Sequence, residues 1–259
     1  MFHLARIGRV FYGIAIAGLG FLTVYYHDFP YMLIPPEHSW IRSLVIVFYI
    51  SGTMLILAGV CIVFKKKTRP VSLLLGTVLL LIFCFYYIPY EFMATSNYMQ
   101  LGEWDNAEKE LALSGGAFVI AGCFAGNNEN PFIMFLGKLI PLGVILFSIT
   151  IISFGIDHFL YAKDVAGYIP SWVPNHIFWA YFAGTALLGS GLAILLKIKH
   201  RLSAILLGTM IFIWFIILHI PKAISAPSTD MGGEVTSAFL ALAYSGIAFL
   251  IAGAIKGVD

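Results

Sequence analysis

The sequence predicts an all-α integral membrane protein with eight transmembrane helices, arranged as two parallel four-helix-bundle repeats with both termini cytoplasmic. Three observations lead there: an apolar composition, apolar runs of about 20 residues along the whole chain, and a match of the chain to itself at an offset of 132 residues. Of 259 residues, 60% are hydrophobic and 11% charged, whereas an average soluble domain carries roughly 25% charged residues. Mean hydropathy is +0.93. Water cannot solvate that much apolar surface, so the bilayer is the solvent.

Taken in order, the apolar runs place helices at 7 to 26, 41 to 64, 70 to 90, 109 to 125, 132 to 156, 176 to 196, 202 to 220 and 235 to 255. Only helices or closed barrels satisfy the backbone in lipid, and the runs lack the alternation of barrel strands. The first run follows Arg6 and Arg9 as a signal peptide would. It is read as a retained helix, because no small-x-small cleavage site follows and the repeat needs it.

The internal match appears when residues 40 to 89 slide over 172 to 221. Trp40 meets Trp172, and Tyr49, Gly52, Thr53 and Gly59 meet Tyr181, Gly184, Thr185 and Gly191. Lys65, Lys67 and Arg69 meet Lys197, Lys199 and Arg201, and Tyr87-Ile88-Pro89 meets His219-Ile220-Pro221. At an offset of 131, SGGAFVIAG continues the match to SGIAFLIAG. The repeats are therefore assigned to 1–125 and 132–255. Four spans per copy return the chain to its starting side, which makes the copies parallel rather than inverted.

The stretch FGIDHFLYAKDVAGYIPSWVPNHIFWAYFAGTALLGSGLAILL, with the later LLGT and HIP, resembles the DoxX-like four-helix membrane family, and the first half looks like a more divergent copy. The resemblance implies the four-helix fold. Because the family includes DoxD, a subunit associated with thiosulfate:quinone oxidation, it also implies a link to quinone chemistry, but it carries over no catalytic residue set.

Charge sorts the two faces. Arg6, Arg9, Lys65, Lys66, Lys67, Arg69, Lys138, Lys197, Lys199, Arg201 and Lys256 fall on one side, 11 of the 15 basic residues, with only Glu129 and Asp259 as acids. By the positive-inside rule that side is cytoplasmic, and the expected location is a bacterial inner membrane. The run Lys65 to Arg69 is then a topology determinant, and a net charge of +2 gives no case for a nucleic-acid partner. Cys61, Cys84 and Cys123 stand singly without a CxxC, which argues against a dithiol centre or a thiolate metal site.

The outer face collects ionisable residues. Asp157 and His158 end the fifth helix, His176 opens the sixth, and His219 and Lys222 end the seventh, all on the same side. Trp172, Trp179, Tyr181 and Trp214 could wall such a cluster. Asp157, His158 and His219 are the candidate catalytic residues; His176, Trp172, Trp179, Tyr181 and Lys222 are candidate ligand contacts. Imidazole or lysine can donate to a carbonyl oxygen while a carboxylate takes up a proton, which suits a quinone. A metal or a haem is the weaker reading, since no HExxH or similarly tight spacing occurs. The first copy offers His27, Asp28, Tyr87 and Glu91 as a counterpart, with Leu44 in the place of His176.

Two alternatives stand beside this reading. Such residues, His38 among them, also populate the interfacial belt of ordinary membrane helices. The protein could also be a non-catalytic carrier of a small solute or lipid along the seam between the copies. The expected partners are membrane lipid, a small-molecule ligand and, on the redox reading, a partner subunit. Gly52, Gly59, Gly184 and Gly191, with Gly76 and Gly208, are read as close-packing positions.

Overall fold

Helices that are apolar on every side can take only other helices or lipid as neighbours. A computed structural model of the chain describes residues 2–34, 45–94, 97–126 and 129–254, which form helices joined by short turns with no strand among the described residues. His38, Trp40, Arg42, Leu44, Lys256 and Asp259 lie outside the described residues.

The long elements are α1 (Phe2–Tyr26), α2 (Val45–Val63), α3 (Thr68–Ile82), α4 (Asp105–Gly122), α5 (Leu142–Leu160), α6 (His176–Leu195), α7 (His200–Trp214) and α8 (Gly233–Ala254). Short helices extend three of them: Ile88–Ala94 beyond α3, Pro131–Leu136 ahead of α5 and Ile220–Ser225 beyond α7. With these extensions, seven segments among the described residues are long and apolar enough to cross a membrane. Seven such helices mark a multi-pass membrane protein.

The helix outside that set is α4, whose first turns carry Asp105, Glu108, Lys109 and Glu110. It begins ahead of the expected residue 109 because the free backbone N–H groups of a helix N-terminus favour acidic side chains. With their extensions to Ala94 and Ser225, α3 and α7 run past their expected ends for a different reason. Pro89 and Pro221 cannot complete an α-helical turn, and each follows a π-helical turn, Phe83–Tyr87 and Phe215–His219, that absorbs the misfit.

α4 and α8 form the centre and touch each other; from Glu110 to Ala121 every residue of α4 is buried. α8 packs on α1 and α7, α4 on α3 and α5, α1 on α2, and α5 on α6. Missing Cβ atoms make these approaches close. A Cβ on Gly115 would sit 2.7 Å from the Gly143 carbonyl oxygen, and one on Gly143 would sit 2.8 Å from that of Gly115. Gly20 and Gly52 meet in the same way at 2.6 and 2.7 Å, and Gly246 faces Gly8 at 2.7 Å. Gly76 and Gly208 belong to different contacts from the α2 and α6 glycines: they make room for the rings of Phe118 and Phe249.

Hydrogen bonds reinforce the centre. Ser114 Oγ donates to the Gly76 carbonyl at 2.8 Å, and Ser245 Oγ to the Gly208 carbonyl at 2.9 Å. Arg9 donates to the last carbonyls of α2, Ile62 and Val63, and Arg69 to Ala121 and Phe124 while pairing with Glu129 at 3.0 Å. Cations at helix C-termini complement the dipole. Outside, Phe85, Phe64, Met54 and Leu206 are more than half exposed, a surface suited to hydrocarbon.

Overpacking costs about 1–3 kcal/mol, and more where backbone must move. Gly246→Val is therefore expected to lower the detergent-solubilised unfolding temperature clearly, whereas Gly167→Val, whose new Cβ meets nothing within 4 Å, should leave it nearly unchanged. Differential scanning fluorimetry of both variants makes the comparison.

Candidate functional site

One end of the bundle holds an open-sided cavity of about 530 Å³ bordered by α4, α5, α6, α7 and α8. Its walls are mainly apolar, with Ile151, Leu187, Met210, Ile211 and Leu240 along the inside and Trp179 and Trp214 on one flank. Tyr161 and Tyr168, from the segment that follows α5, border it, and the ring of Tyr161 lies against Gly102.

Asp157, His158 and His219 all line this cavity. Asp157 and His158 stand on the last turn of α5, which continues past the expected residue 156. The π-helical turn ahead of Pro221 carries His219 to the opposite wall. The Asp157 carboxylate oxygens are buried and hydrogen-bond to nothing among the described residues; Asp105 and Lys109 are its charged neighbours. His158 Nδ1 lies 2.7 Å from the Phe154 carbonyl, so Nδ1 donates and Nε2 is left for another partner. His219 forms no hydrogen bond with the described residues, and Lys222 is its charged neighbour. A half-buried wall with unused polar atoms is costly unless something else supplies the partners.

The remaining candidate contacts lie elsewhere, apart from Trp179. His176 Nε2 is 3.1 Å from the Pro170 carbonyl and braces the loop ahead of α6. Lys222 lies 4.1 Å above the Tyr168 ring and 3.9 Å from Glu234. Tyr181 faces outward against Phe159, and Trp172, 70% exposed, borders a separate groove.

None of the candidates from the first half, His27, Asp28, Tyr87 and Glu91, lines this cavity. His27 is exposed and 2.6 Å from the Tyr49 hydroxyl, while Asp28 accepts from the Phe29 backbone N–H. Tyr87, the positional mate of His219, is buried and donates to the Tyr31 carbonyl at 2.8 Å. Glu91 is also buried. Cys61, Cys84 and Cys123 are free thiols, and among the described residues no group of three or more His, Cys, Asp or Glu side chains is arranged to hold a metal.

Sequence reasoning missed the contribution of α4. Asp105 and Lys109 line the cavity and pair at 2.6 Å, and Lys109 also lies above the Tyr31 ring. Ser153 donates to Glu108 at 2.6 Å, and Thr150 to the Glu108 carbonyl at 3.0 Å, which fastens the start of α4 one turn below Asp157. Tyr244 and Ser237 of α8, and Asp164 from the segment that follows α5, add to the polar lining. A signal was present: residues 105 to 110 are densely charged, whereas the matching 236 to 241, TSAFLA, have no charge.

Compared with protein-family models, with curated proteins and with solved structures, the chain matches none.

Removing a buried tyrosine hydroxyl that donates to a carbonyl costs about 1 kcal/mol. Tyr87→Phe is expected to lose stability on that scale in reversible detergent unfolding.

Proposed function

We propose that the protein is an eight-span membrane protein built from two parallel repeats, which binds a quinone or similar amphipathic small molecule in the cavity that Asp157, His158 and His219 share. The observation that carries this reading is the pairing of unused polar atoms on those three residues with apolar walls and two tryptophans. A volume of about 530 Å³ lies within the ordinary range of small-molecule sites. An aromatic head would stack near Trp179 and Trp214. Its carbonyl oxygens would accept from Lys109 or from the N–H of a neutral His219 ring, and Asp157 would exchange a proton with the reduced form. On this reading the protein is a redox enzyme or a redox-accessory subunit with a partner subunit, as the resemblance to the DoxX-like family also implies.

Several details support the duplicated architecture. The π-helical turns Phe83–Tyr87 and Phe215–His219 recur at the sequence offset of 132, as do left-handed backbone conformations at Lys65 and Lys67 and at Lys197 and Lys199. The serine-to-carbonyl bonds of Ser114 and Ser245 are mates as well. Tyr244 meets Lys109 and Ile247 meets Gly116, so α4 and α8 advance in the same direction, as parallel copies require. α4 is then the eighth span, with its charged turns at the non-cytoplasmic boundary.

Asp157→Asn and His219→Ala should each weaken binding of a decyl-tailed benzoquinone at least tenfold, about 1.4 kcal/mol. Tryptophan-fluorescence titration of the purified protein measures this, with thermal stability as the control. Unchanged affinity in both variants returns these residues to the interfacial belt.

The orientation has its own test. Single cysteines at the exposed positions Lys67 and Glu103, in a cysteine-free background, are expected to react with an impermeant thiol reagent in intact cells only at Glu103. Labelling at position 67 instead would move the cavity to the cytoplasmic side.

A further inference from the structure

A second hollow, about 800 Å³, opens between α6 and α7. It shares Trp179, Met210 and Trp214 with the polar cavity, so the two spaces are separated by little more than those side chains. The two indoles meet edge to face with centroids 6.2 Å apart. Unlike the cavity, the groove is lined by no charged side chain. The Thr185 hydroxyl is turned back to the Tyr181 carbonyl at 2.8 Å, which leaves its methyl to the groove.

The hollow depends on small residues. A Cβ on Gly189 would meet nothing within 4 Å, and Ala186 and Ser190 lie beside it. At the 132-residue offset, Gly189 stands where the first half has Leu57, and Trp179 and Trp214 stand where it has Val47 and Ile82. The second half thus lacks a bulky side chain in the groove that the first half has at the matching position, and has two aromatic rings at the junction with the cavity.

We infer that this groove is the tail subsite of the same ligand: it holds a single hydrocarbon chain whose polar head lies beyond the Trp179–Trp214 pair. Continuity with the cavity and the absence of charge select this occupant. A helix partner would need a far larger surface, and a water-soluble head would find no hydrogen-bonding charge there. The inference rests on the reading of the polar cavity as a ligand site, and it identifies the substrate class as tailed and lipid-soluble, arriving sideways from the membrane between α6 and α7. The exposed Trp172 stands at the groove border, where a chain leaving lipid would first meet it.

The test uses the full chain in amphipol and two variants that fill the groove, Gly189→Leu and Ala186→Leu. Three of the five tryptophans, Trp172, Trp179 and Trp214, border the groove, so quenching by an ω-bromo fatty alcohol reports its occupancy directly. Quenching should be saturable in the wild type, with half-saturation raised at least tenfold in either variant. The same variants should weaken a decyl-tailed benzoquinone tenfold or more and leave the tailless benzoquinone unchanged. Non-saturable quenching, or half-saturation equal in wild type and variants, overturns the tail subsite. If the bromo alcohol behaves as expected while neither quinone binds, the tail subsite stands and the quinone reading falls. If the tailed quinone binds but the bromo alcohol does not respond to the variants, the reverse holds.

Discussion

Close approach of helices at glycine is the constraint on which the rest of this structure depends. In lipid, burying apolar surface between helices gains little over leaving it in hydrocarbon, so association relies on intimate packing and on hydrogen bonds between helices. α4 and α8 can occupy the centre because they are rich in Ala, Ser and Gly, and each accepts neighbours on several sides. The same rule reaches the candidate site. Gly184 leaves room for His158, whose Cβ lies 2.8 Å from where a Cβ on that glycine would stand. A bulkier residue there would displace the imidazole and, with it, the end of α5 that carries Asp157.

The second organising device is the π-helical turn before a proline. In each half it precedes a proline, and its last residue is turned toward the bundle interior, but the two turns present different chemistry. Tyr87 finds the Tyr31 carbonyl and is closed off by packing, so its polar atom is used up within the protein. His219 finds no such partner and borders a cavity. One backbone solution thus gives a structural tie in one place and an open imidazole in the other.

The charged start of α4 shows how the halves interlock. Asp105, Glu108 and Lys109 belong to the first half by sequence, yet they face Asp157, Ser153 and Tyr244 of the second. The cavity therefore requires both halves, and its polarity comes as much from α4 as from the histidines.

Composition and the length of apolar runs determined by themselves that this is an all-helical membrane protein. These features are local and periodic, so one dimension is enough to read them. Asp157, His158, His219 and Trp179 were legible as one cluster for the same reason, since each lies at a helix end on the same side. The outward direction of Tyr181, the bracing role of His176, the pairing of Lys222 with Glu234 and the entry of Asp105 and Lys109 into the cavity were decided only by the tertiary structure. Sequence position fixes how far along a helix a side chain sits, but its rotation about the axis and the helix it meets are set by which glycines find one another, and that is a property of the packed bundle.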